Sequence, residues 1–232
     1  MYIFILGLDH SRTTITDIAL GEKIGAISLG EVRRTISPRG QELVNRQRCS
    51  CGSKYEECEV WQKFSNGSLH ESENTAIIDS SKEIKHYRLN LTKNDDVVTV
   101  LVLRKFRDWH ASAMASRVRN NRSTLRSVLA DPQFLKSNLR LYLRRFVFIA
   151  YTEWLLTQFR FLFAIRGKSY VVTSSQDIER IAQRLGKFDT NASRHIVRGN
   201  RVSQSDQIHL SNFDESGLLQ KLIKYWLERK NG

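Results

Sequence analysis

Proline and cysteine are scarce: the chain of 232 residues has two prolines and three cysteines. An odd number of thiols cannot form a fully paired disulfide framework, which excludes a small secreted scaffold. No run of eighteen apolar residues is free of charge. The best candidate, 141–165, is broken by Arg144, Arg145, Glu153 and Arg160, so a membrane span is not expected. Met1-Tyr2-Ile3-Phe4-Ile5-Leu6 lacks a basic segment and is too short an apolar stretch for a signal peptide, so a cytoplasmic location is expected. Acidic residues are also in deficit, with 24 Asp and Glu against 37 Lys and Arg, a formal net charge of +13. At 41% hydrophobic, the chain has enough apolar material for a core, which excludes a disordered tail protein. The basic balance favours an anionic partner.

Short apolar runs alternate with helical patterns. Runs at 2–6, 75–78, 96–103 and 170–173 read as strands, and 96–103 (DVVTVLVL) has the composition of a strand buried on both faces. Helical patterns fall at 13–20, 107–119, 133–164 and 176–185. Leu218, Leu219, Leu222, Ile223, Trp226 and Leu227 mark an amphipathic helix within 214–230 that docks on the body. The alternation predicts an α/β fold, three layers with a parallel sheet wrapped by helices. No linker divides residues 1–232, so a single domain is expected, with a polar, cysteine-bearing surface insertion at 47–72.

The first strand runs into Gly7-Leu8-Asp9-His10-Ser11-Arg12-Thr13-Thr14 and then a helix. A strand, a tight loop and a helix N-terminus form an anion site, where amides, the positive dipole end and hydroxyls converge. The alternative is an ordinary turn capped by Ser and Thr. A Walker A loop aligned on Gly7 would need Gly at 12 and Lys at 13, where Arg12 and Thr13 stand. A P-loop NTPase or small-molecule kinase is thereby the weaker alternative; a degenerate nucleotide- or nucleic-acid-binding protein is another. Arg104 follows the long strand, at the sheet edge where open α/β folds bind ligands, and Ser112 lies eight residues on. His195-Ile196-Val197-Arg198-Gly199-Asn200-Arg201 is a loop with two arginines about a glycine.

Taken in order, these segments resemble the sulfotransferases that use 3′-phosphoadenosine 5′-phosphosulfate (PAPS), whose fold is P-loop NTPase-like. Ser11, Arg12, Thr13 and Thr14 are similar to that family's 5′-phosphosulfate loop, and Arg104 and Ser112 to its 3′-phosphate pair. Asp79-Ser80-Ser81-Lys82 resembles a segment of bacterial members, and Arg198, Gly199, Asn200 and Arg201 their C-terminal loop over the nucleotide. His10 stands where the family has Arg or Lys, Arg12 where it has Gly, and Lys105-Phe106 where Asp-Pro is common.

The resemblance implies metal-independent, in-line transfer of a sulfuryl group from PAPS to a hydroxyl acceptor, leaving 3′,5′-adenosine bisphosphate (PAP). Charge on the moving oxygens must then be neutralised by fixed groups. His10 when protonated, Arg12 and Lys82 are the candidate cations. Glu31 is the first candidate general base, with neutral His10 the other; a helix-start carboxylate is the alternative for Glu31, because Ser28 and Glu31 have capping-box spacing. His86 and His110 read as packing residues. Cys49, Cys51 and Cys58, with His70 as a speculative fourth ligand, form no standard metal finger, so no metal is expected and packed reduced thiols are the plainer reading. The basic runs at 117–122, 126 and 140–145 read as a solvated face, or as a cleft for an acidic glycan or saccharide acceptor with peripheral membrane contact. No nucleic-acid motif occurs. A homodimer is the default assembly.

Overall fold

The computed structural model describes residues 1–37, 47–69, 75–93, 96–119, 124–130, 132, 135–188, 193–197 and 217–231. Six strands form one all-parallel sheet: β1 (Tyr2–Gly7), β2 (Ile27–Gly30), β3 (Ile77–Asp79), β4 (Val97–Val102), β5 (Ser169–Val172) and β6 (Ser193–Arg194), in the order β5-β4-β1-β3-β2-β6. Ten helices are seen among the described residues: α1 (Thr13–Ile24), α2 (Val32–Ile36), α3 (Glu59–Ser65), α4 (Ile84–Lys93), α5 (Phe106–Arg119), α6 (Leu125–Leu129), α7 (Leu135–Leu143), α8 (Val147–Ala164), α9 (Ser175–Leu185) and α10 (Leu218–Asn231). This is an α/β architecture with helices on both sheet faces.

The period of two in β1 divides its side chains between two cores. Tyr2, Phe4 and Leu6 join Tyr87 of α4, Trp109 of α5 and Trp154 and Phe161 of α8. Ile3 and Ile5 join Leu20 of α1 and Ile178 and Ile181 of α9 on the other face. Both faces being covered, the central strands are apolar at nearly every position, which is why the runs at 2–6 and 96–103 are legible without alternation.

The chain differs from its sequence expectation in three places. The helical pattern at 133–164 is two helices, because the chain turns at 144–146 between α7 and α8. In the surface insertion expected at 47–72, the described residues 47–69 carry Cys49, Cys58 and Trp61 into the core, where Trp61 is 1% exposed. The last helix docks its apolar face through Leu219, Ile223 and Leu227, with Gln220 donating to the Arg104 carbonyl and Lys224 pairing with Asp177, while Leu218, Leu222 and Trp226 stay exposed. On α8, Phe148, Leu156 and Phe163 also face outward. No helix among the described residues is long and apolar enough to cross a membrane.

From β1 the chain passes through α1 to β2 on one side, returns to β3, and then crosses over β1 to β4 and β5 on the other. The carboxyl ends of β1, β3 and β4 therefore meet at a switch point, the place where open parallel sheets form a ligand crevice.

Candidate functional site

Three segments converge at that crevice: the loop after β1, Ser80-Ser81-Lys82 after β3, and Leu103-Arg104 after β4. Gly7 closes β1 where no side chain fits. A Cβ there would lie 2.7 Å from Thr13 Cγ2 and 3.0 Å from the Val102 carbonyl oxygen. The loop then turns tightly. His10 and Arg12 both adopt φ of 67°, and Lys82 adopts φ of 62°. These are the only non-glycine residues with positive φ among the described residues, and each such conformation costs about 1–3 kcal/mol. Strain of this kind gathers where surrounding structure over-determines the backbone, as at ligand sites.

Ser11 is buried, its amide donating to the Leu8 carbonyl at 3.0 Å. Arg12 is the N-cap of α1, and the buried Thr13 and Thr14 open the helix, so the first-turn amides face the loop. Arg104 is brought directly against this loop, its Nη1 donating to the His10 carbonyl at 2.9 Å. The indole of Trp109 supports the same turn by donating to the Asp9 carbonyl at 2.8 Å. Ser112 lies half-buried two turns along α5. Arg198, Gly199, Asn200 and Arg201 lie outside the described residues, as does His70.

Lys82 bridges the segments. Its Nζ is 2.7 Å from Glu31 Oε1 and 3.6 Å from Asp9 Oδ1. Arg34 holds the other oxygen of Glu31 at 2.7 Å and lies 3.9 Å from Asp9. Glu31 is buried with both carboxylate oxygens engaged by cations. The capping box expected from Ser28 and Glu31 does not form: Ser28 lies in β2 and its hydroxyl donates to the Asp17 carbonyl, while Glu31 itself is the N-cap of α2, without a side-chain cap bond. Burial alone would raise the Asp9 carboxyl, but Lys82 and then Arg34 outweigh it and hold it below its ordinary range. His10 moves the other way. Burial, against the pull of Asp9, and the nearby Arg144, Lys82 and Arg104 lower its pKa below the ordinary imidazole value.

Behind the loops lies a buried acidic pair. Asp79 accepts from Tyr2 Oη at 2.7 Å, the Ser81 amide at 2.8 Å and the Ser81 hydroxyl, and His86 Nε2 is 2.9 Å away. This fixes the Ser81 hydroxyl, which accepts from the Arg33 amide at 2.8 Å. Asp17 accepts from Ser80 Oγ at 2.9 Å, and its burial raises its pKa to about 7. A carboxyl whose folded pKa lies above its unfolded value stabilises the fold at low pH and loses that contribution as pH rises through the folded pKa. Asp17→Asn should therefore gain stability relative to the parent chain as pH rises from about 4 to about 7, read as a difference in urea midpoints that grows across that range and levels off above it.

Other basic residues are less open than the sequence suggests. Arg144 is buried, stacks over Trp109 at 5.2 Å and pairs with Glu153 at 2.6 Å. Arg117 is buried and donates to the Tyr142 carbonyl at 2.7 Å. His110 packs on Phe106, its Nε2 2.8 Å from the Arg144 carbonyl oxygen. Among the described residues of these basic runs, Arg126, Arg140 and Arg145 are exposed, while Arg117 and Arg144 are buried with internal partners. A separate groove of about 510 Å3 at the amino-terminal end of β5, lined by Lys168, Arg180, Arg184 and Lys224, shares no residue with the crevice.

Sequence reasoning missed Asp9, Arg34, Asp17 and Trp109. Asp9 could have been found from its place inside the loop. The others are set by contacts between distant elements and leave no local signal. Comparison with known proteins finds no family model and no curated protein that matches this chain.

Proposed function

We propose that the chain is a sulfotransferase that moves a sulfuryl group from PAPS to a hydroxyl acceptor. One observation carries this reading: the Arg104 guanidinium lies against the Ser11–Thr14 loop, its Nη1 2.9 Å from the His10 carbonyl oxygen. One end of a bisphosphorylated adenylate can thus be held by loop amides and hydroxyls while an arginine fork one strand away grips a second phosphate.

In the reaction, the acceptor oxygen forms a bond to sulfur as the bond from sulfur to the bridging phosphate oxygen breaks. The electron pair of that bond stays on the 5′-phosphate of PAP, and the acceptor proton passes to a base. His10, whose pKa burial lowers, is suited to take that proton. Lys82 supplies positive charge for the leaving oxygen, and Glu31 and Asp9 hold its ammonium at the crevice. Glu31 is assigned to positioning, because it could act as base only by giving up Lys82 or Arg34. The acceptor proposed is a saccharide or other hydroxyl compound.

Calorimetry with PAP tests the donor site. Binding that is undiminished by EDTA and stronger than that of ATP with Mg²⁺ is the expected result; preference for the ATP complex would overturn it in favour of a nucleotide-hydrolysing or phosphoryl-transfer enzyme. Transfer of labelled sulfate from PAPS to a glycan panel then tests the reaction.

A further inference from the structure

We propose that Cys49, Cys51, Cys58 and His195 form a structural zinc site that fastens the 47–65 segment to the sheet edge. Their four ligand atoms all lie within 4.8 Å of one another. The Sγ atoms of Cys51 and Cys58 are 3.8 Å apart, as are those of Cys58 and Cys49. His195 Nδ1 lies 3.7 Å from Cys49 Sγ and 3.2 Å from Cys58 Sγ. A tetrahedral zinc with Zn–S of about 2.3 Å and Zn–N of about 2.0–2.1 Å requires S···S near ~3.8 Å and S···N near ~3.6 Å. The sulfurs are far beyond the disulfide length of about 2.05 Å, and all three cysteines are free.

Two features set this cluster apart from thiols that merely fill space. The first is its construction from two distant stretches. Cys49 and Cys51 lie on a tight turn in which the Gly52 amide donates to the Cys49 carbonyl at 2.9 Å, with Gly52 at φ of 96°. Cys58 caps α3. His195 comes from the far end of the chain, directly after β6. The second is the support around it. Trp61 Nε1 donates to the His195 carbonyl at 2.7 Å. Ser50 exchanges backbone and hydroxyl hydrogen bonds with Arg194 and Ile196, three of them between 2.6 and 3.0 Å. Such outer contacts fix ligand orientation. Four protein ligands leave no open position, the pattern of a structural rather than a catalytic zinc.

The work of the ion follows from its place. It ties residues 47–65 to 193–197, immediately before Arg198–Arg201 in the sequence. The proposal does not depend on sulfuryl transfer, and its test does not read that activity. Elemental analysis of the dialysed chain, purified without an immobilised-metal column, should find about one zinc per chain. Cobalt(II) substituted for the zinc should give the visible absorption of a tetrahedral thiolate site. Cys51→Ser and His195→Gln should each lower the bound zinc to near none, and stripping the ion with a strong chelator should lower Tm, with recovery on adding zinc. A folded parent chain with neither zinc nor the cobalt spectrum would overturn the proposal, as would a Cys51–Cys58 disulfide found by mass spectrometry. Both parent-chain measurements decide the matter even if the variants do not fold.

Discussion

Replacing Arg104 with alanine should weaken PAP binding about 100-fold, the loss of about 3 kcal/mol expected when one partner of a hydrogen-bonded charge pair is removed. Two effects add in this variant. The phosphate loses a planar, two-pronged donor, and the first loop loses the hydrogen bond from Nη1 to the His10 carbonyl. Arg104→Lys separates them. A lysine restores positive charge but not the fork, so it should recover only part of the affinity. Calorimetry gives the affinities, and a thermal melt without ligand checks that the fold survives. PAP affinity unchanged in Arg104→Ala would remove the basis for placing an adenylate across β1 and β4.

The second large effect is expected at Lys82. Lys82→Ala should lower kcat for sulfuryl transfer by about 10²–10³-fold, the scale seen when one donor to a developing oxyanion is removed. Affinity for PAP should change far less. The reason is the timing of charge. In the resting site the ammonium is balanced by Glu31 at 2.7 Å and Asp9 at 3.6 Å, so it adds little to ground-state binding. Charge on the leaving oxygen grows only as the sulfur bond breaks, and the lysine is rewarded at that stage. A fall in PAP affinity as large as the fall in kcat would reassign Lys82 to ordinary phosphate binding. Unchanged kcat would remove it from the reaction. Glu31→Gln gives a further control, since it should shift Lys82 and lower kcat without changing which group sets the acidic limb of the pH profile.

Some of this architecture is written locally. Tyr2–Gly7 and Val97–Val102 are legible as strands because a strand buried on both faces is apolar at nearly every position, with Thr99 the exception in β4. The loop after β1 is legible because a glycine followed by hydroxyl residues and a helix start has few other uses. Other elements are hidden for equally local reasons. Ile27–Gly30 and Ser193–Arg194 are too short to show a pattern, and pairing with β3 and β2 respectively makes them strands. The break between α7 and α8 lies in an unbroken helical pattern, where the arginines at 144 and 145 look like surface residues until Glu153 and Trp109 cover the first of them.

The sequence by itself determined a basic α/β chain, a phosphate-suited loop without the Walker lysine, and an arginine placed one strand away. Those properties depend on residue type and near spacing, which any single chain carries in full. Tertiary structure alone decided that Glu31 spends its charge on Lys82 and Arg34, that burial lowers the His10 pKa, and that His195 lies among Cys49, Cys51 and Cys58. Each depends on groups tens of residues apart meeting at a sheet edge, and on the loss of water there. Neither distance in space nor burial is encoded at any one position of the chain.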